Sequence, residues 1–166
     1  AGTYVVVIPV IVMAAGQLAG GLSWLAISGE DAHDLVVTAP ISPRAVLIAK
    51  IEAVTMSVAA IFAPVLVCLA IASLELAWIT AAFVAVSAGS ATAIQLWFRV
   101  PMRRAMFRRR QVASRVATIS EALSSIMWAG AAVLVAGNQW IAALPAILAI
   151  VVLAVAYALS PKGKRV

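Results

Sequence analysis

The stretch from Arg99 to Arg115 reads RVPMRRAMFRRRQVASR and holds seven of the twelve basic residues of the chain. Apolar runs flank it, Ala77–Phe98 before and Val116–Ala136 after. Each is about as long as the roughly 20 residues a helix needs to cross hydrocarbon. Working outward, the same reading selects Tyr4–Ile27, Ala53–Ala72 and Ile141–Leu159. The expected fold is all-α, a single transmembrane bundle of five spans covering residues 1–166. Alternation puts 28–52, 99–115 and the tail from Ser160 on one side. The N-terminus, 73–76 and 137–140 fall on the other. All twelve basic residues belong to the first set: Arg44, Lys50, the seven of 99–115, and Lys162, Lys164 and Arg165. Basic connections stay on the cytoplasmic side, so the N-terminus is expected outside and the C-terminus inside.

Composition agrees. Of 166 residues, 65% are apolar and 11% charged, where a soluble domain carries about a quarter charged residues. The formal net charge of +6 follows from cytoplasmic basic loops and anionic lipid head groups, and no nucleic acid partner is implied. Cys68, the single cysteine, lies within a span, which excludes an intrachain disulfide and predicts a small apolar filler. The chain begins at Ala1 with no basic segment before its first apolar run. The expectation is a processed chain or part of a longer one.

Aromatic residues prefer the membrane interface. Tyr4, Trp78 and Trp140 fall at outer ends of spans, and Trp24, Trp97 and Tyr157 at or near inner ends. Trp128 is mid-span, where packing on a neighbouring helix is expected. Gly16 and Gly20 (with Gly21 beside them) and the small run Ser87–Ala93 permit close helix approach, either within the bundle or at a dimer interface. Pro64 is expected to kink the second span.

Two connecting segments carry further pattern. In 28–52, Ser28 and Asp31 have capping-box spacing, and Glu30, Asp31 and Asp34 suit a helix N-terminus. Leu35, Val36 and Val37 follow as a short apolar surface. Pro40 and Pro43 break the chain, and Ser42-Pro43 reads as an N-cap and first helical position of a long helix entering the membrane near Ala53. Glu30, Asp31, His33 and Asp34 lack metal-ligand spacing and read as solvated cap charges. In 99–115, Met102, Met106 and Phe107 share a helical face, with Arg103, Arg104, Arg108, Arg109 and Arg110 around the rest. That pattern admits a helix lying on anionic lipid, a contact with a protein partner, or a solvated loop.

Polar residues inside the spans are few. Gln17, Gln95 and Glu121 stand out, with Ser120, Ser124 and Ser125 near the last. Gln95 and Glu121 should lie at similar depth and hydrogen-bond, as a structural link or as a transport site. The sequence has no phosphate-binding Gly-Lys-Ser/Thr loop, and His33 is its one histidine. No catalytic, cofactor or metal residue is predicted, so energy for active movement would come from another subunit.

The segment Thr38, Ala39, Pro40, Ile41, Ser42, Arg44 and Lys50, after acidic Glu30, Asp31 and Asp34, resembles that of permease subunits of type-2 ABC exporters. Those carry an acidic helix, then a Thr-x-Pro-(Ile/Val)-Ser-x-x-x-(apolar)-Lys pattern before the next membrane helix. The order of elements also matches from the second of the family's six helices onward. The resemblance implies a coupling helix docking on an ATP-binding cassette subunit through Glu30, Asp31, Asp34, Leu35 and Arg44. It further implies a second permease copy or half, and a bacterial-type inner membrane. Another reading of the same residues is a non-transporting membrane scaffold whose Arg-rich loop binds anionic lipid or a soluble partner.

Overall fold

The computed structural model describes residues 3–28, 42–98 and 115–161. They form five α-helices: α1 Thr3–Ser28, α2 Pro43–Ala72, α3 Leu74–Trp97, α4 Arg115–Ala136 and α5 Ala143–Leu159. A 3₁₀ turn, Trp140–Ala142, leads into α5. There is no strand among the described residues. The stretches Val5–Ala26, Arg44–Ala72, Leu74–Trp97, Arg115–Ala136 and Trp140–Leu159 are each long and apolar enough to cross a membrane. The fold is therefore compatible with an integral membrane protein.

Helix ends follow local chemistry. Ser42 has extended backbone, its hydroxyl accepts from Ala45 N at 3.2 Å, and Pro43 fills the first turn. The capped start expected from the sequence is thus present, and α2 runs on through Pro64 to Ala72 without interruption. The connection expected at 73–76 shrinks to a single residue. Ser73 closes α2 and opens α3, its hydroxyl accepting from Leu76 N at 3.4 Å. Leu74, Glu75 and Leu76 are helical, and Glu75 in the first turn complements the positive end of the α3 dipole.

Three helices make the core. α3 and α4 each pack closely on α1 and on one another, while α2 lies against α1 and α3 and α5 against α4. Side-chain neighbours give their directions. Gly16 faces Ser87 and Ser23 bonds Thr92, so α1 and α3 run the same way. Gly16 also faces Ser125 and Gly20 faces Glu121, so α4 runs the other way. The flanking helices are mostly uncovered. Met56, Ile61, Val67 and Ile71 of α2 and Leu144, Ile147, Ile150 and Val155 of α5 are exposed. Apolar surface of that extent is what hydrocarbon covers and water does not.

Aromatic placement partly follows expectation. Trp128 packs at a tilt on Phe83, centroids 6.2 Å apart, as its mid-span position suggested. Trp97 and Tyr157 meet edge to face at 5.2 Å where α3 and α5 end. Trp78 and Trp140 lie at the opposite end and are 70% and 87% exposed. Cys68 departs from expectation. It is exposed on α2 and fills no gap, because α2 buries only a narrow stripe against its neighbours.

α4 closes in a Schellman turn. Gln139 N donates to Leu134 O and Asn138 N to Val135 O, both at 2.9 Å, with Asn138 at φ 53°. Asn tolerates this left-handed backbone, whereas a β-branched side chain crowds it. Asn138→Gly is expected to leave thermal stability in detergent unchanged or slightly raised. Asn138→Val should lower it by about 1–2 kcal/mol, read from unfolding of the two variants beside the parent.

Candidate functional site

A row of small and hydroxyl-bearing residues runs along the faces where α1, α3 and α4 meet. α3 contributes Thr80, Ser87, Ser90 and Ala91, and α4 contributes Ser120, Glu121, Ser124 and Ser125, all buried. The spacing of three and four keeps each set on one helical face. Apolar surroundings offer backbone and side chains no solvent partner, so polar groups must be satisfied internally. Thr80 Oγ1 accordingly donates to Leu76 O at 2.6 Å, and Ser125 Oγ to Glu121 O at 2.8 Å.

Side-chain hydrogen bonds tie all three helix pairs. Ser23 Oγ donates to Thr92 Oγ1 at 3.1 Å between α1 and α3. Gln17 Nε2 donates to Ser125 Oγ at 3.4 Å between α1 and α4, a long bond from an otherwise exposed residue. Trp128 Nε1 donates to Ser90 Oγ at 3.0 Å between α4 and α3. A further bond, between α3 and α4, joins the two residues singled out in the sequence: Gln95 Nε2 donates to Glu121 Oε2 at 2.9 Å.

Glu121 is the centre of this seam. It is 7% exposed, six residues into α4, or about 9 Å from the helix start. Its carboxyl occupies the space that a side chain on Gly20 would need. A Cβ there would overlap Glu121 Oε1 and Cδ. One turn earlier, a Cβ on Gly16 would press on the hydroxyls of Ser125 and Ser87. The two glycines thus serve packing inside the bundle. Gly21 beside them meets nothing. A role for Gly20 as the seat of a carboxyl was not read from the sequence. The available signal was that Gly20 and Glu121 lie at similar distances from the inner ends of their spans, eight and six residues.

Chemically, the seam offers one carboxyl, amide donors and hydroxyls. Ser87 Oγ and Ser124 Oγ are buried without a hydrogen-bond partner among the described residues, so the seam has unused bonding capacity. Ser125 gives its proton to a backbone carbonyl and is not paired with the Glu121 carboxyl as a nucleophile would be. No group of three or more His, Cys, Asp or Glu residues suited to a metal occurs among the described residues.

The other sequence-selected residues are not brought to this seam. Arg44 is exposed in the first turn of α2. Glu30, Asp31, His33, Asp34 and Leu35 lie outside the described residues, as do Arg103, Arg104, Arg108, Arg109 and Arg110 and the tail cations. Comparison with protein-family models, curated proteins and solved structures finds no match to this chain.

Gly20 and Gly21 provide a paired test of the seam. Gly20→Ala should cost about 1–3 kcal/mol through overpacking against the carboxyl, and Glu121→Ala in the same chain should recover part of that loss. Gly21→Ala should instead gain about 0.5–1 kcal/mol from the better helix former. Unfolding in detergent of these three variants, of Glu121→Ala alone and of the parent measures the coupling; equal effects at positions 20 and 21 would contradict the assigned contact.

Proposed function

We propose that the chain is the membrane-spanning permease subunit of an ATP-driven exporter, working with a separate ATP-binding subunit and a second permease copy or half. The N-terminus faces outward and the basic connections face the cytoplasm of a bacterial-type cell. The observation that supports this reading best is α2. A capped helix of 30 residues starts at Pro43, nine residues after the last acidic residue, Asp34, and continues unbroken through the whole apolar span. A partner pressing on 30–38 would move a stiff rod, not a tether.

The packing suits that role. α2 touches α1 and α3 along a narrow stripe, while α1, α3 and α4 are held together by the polar seam. A load on α2 would shift the flank before it disturbed the core. ATP-driven closure of the partner can do this only by binding the two positions of α2 with different affinity. Glu30, Asp31, Asp34 and Leu35 supply the docking contacts in this scheme. Glu121 and Gln95 hold the bundle against which α2 moves.

Purification of the natural complex in mild detergent should retain an ATPase. Cys68, exposed near the far end of α2, reports movement without an engineered label. Its reaction rate with a membrane-permeant maleimide should change on adding ATP. Softening the rod with Ala45→Gly and Ala49→Gly, at about 1 kcal/mol each, should remove that change while the ATPase still co-elutes. Charge reversal of Asp31 and Asp34 should uncouple ATPase activity from transport without removing the protein from the membrane. A chain that purifies without an ATPase, and binds anionic vesicles in a salt-sensitive way, would establish the scaffold reading instead.

A further inference from the structure

The small run of α3 has two faces. Ser87, Ser90 and Ala91 point into the core, while Ala81, Ala85, Gly89 and Ala93 follow one another every four residues towards α2. Between α2 and α3 lies a groove of about 420 Å³, lined from Ile51 to Leu66 on one side and from Ala81 to Leu96 on the other. Its volume is in the range of about 300–1,000 Å³ typical of ligand clefts. Each wall spans sixteen residues of helix, fifteen rises, so the groove is about 22 Å long. The walls are almost wholly apolar, and Thr55 and Thr92 have their hydroxyls engaged with Ile51 O and Ser23. A Cβ on Gly89 would meet nothing within 4 Å.

One end of the groove is marked by charge. Arg44 precedes Ile51 by seven residues and so shares its helical face, two turns beyond the groove. It is exposed and makes no ion pair among the described residues. A cation in the first turn opposes the helix dipole, so the helix itself gives no reason for an arginine there. Length gives the location. α2 has 30 residues, about 45 Å of helix, against about 30 Å of hydrocarbon. With the groove inside the hydrocarbon, the surplus carries Arg44 into the head-group layer.

We propose that the groove between α2 and α3 binds an anionic phospholipid, one acyl chain lying along Ala85 and Gly89 and the phosphate held by Arg44. A flexible apolar chain fits a long narrow slot with almost wholly apolar walls, and Arg44 beyond its mouth, on the same side as Lys50, favours a negatively charged head group. The site is independent of the exporter reading and requires membrane embedding alone. It gives Arg44 a role different from the partner docking that the family resemblance implies.

The test uses the full chain in bilayers containing phosphatidylglycerol or phosphatidylcholine, each with a photoactivatable group midway along one acyl chain. The phosphatidylglycerol probe should label peptides containing 51–66 and 81–96 and exceed the phosphatidylcholine probe. Gly89→Leu, which fills open space, should bring that labelling to background; Ala85→Leu serves if the first variant fails to fold. Arg44→Gln should reduce the preference for the anionic probe roughly fivefold, the factor for one basic residue at an anionic surface, with folding unchanged. Labelling that persists in both filled variants, or equal labelling by the two probes in the parent, would overturn the proposal. So would a disulfide between copies through Gly89→Cys, which would put a second protein helix in the groove.

Discussion

A carboxyl buried among apolar helices must be given both space and a donor, and Glu121 obtains them from two different helices. Gly20 of α1 supplies the space and Gln95 of α3 the donor. Those two requirements fix how three helices can meet. Rotating α1 by one residue would bring Ala19 or Gly21 towards the carboxyl, and sliding α3 would carry the amide away. In lipid, helices gain little from burying apolar surface against each other, so packing and hydrogen bonds must supply specificity. The seam therefore explains why α1, α3 and α4 form the core even though α2 and α5 include the most hydrophobic windows of the chain.

The same argument explains the rim. α2 and α5 bring mainly bulky apolar side chains, and most of these remain exposed. A helix of that composition is nearly as well placed against acyl chains as against protein, and its position is weakly specified. The molecule thus divides into a core of small and polar residues in defined register and flanks held by shape. That division is the physical basis for treating α2 as a part that can move.

Different parts of this arrangement were legible in the sequence to different degrees. The spans were readable because hydrophobic length is a property of one segment, and the start of α2 because Ser42-Pro43 is a local signal. Trp128 could be assigned to packing from its depth alone. Gln95 and Glu121 could be paired because both lie a few residues from the Arg-rich stretch. The ends at 73–76 were misread because Leu74 and Leu76 look like either loop or helix until Ser73 is seen capping α3. The seat at Gly20 and the exposure of Cys68 were not readable. Each depends on which neighbour a helical face meets, which hydropathy does not specify. The acidic segment and the arginine stretch lie outside the described residues, so their roles rest on pattern.

α3 makes the final connection, because its two small faces do opposite work. Inward, Ser87 and Ala91 bring α1 and α4 close. Outward, Ala85 and Gly89 leave the space facing α2 unfilled. A large residue at either outward position would close the gap and lock α2 to the core. On the exporter reading α2 needs such clearance, but an empty apolar gap forfeits dispersion contacts along both walls. An acyl chain resolves the conflict, since it restores those contacts and can change conformation as the gap changes width. On the exporter reading, a lipid in this groove is what would let α2 move against a tightly registered core.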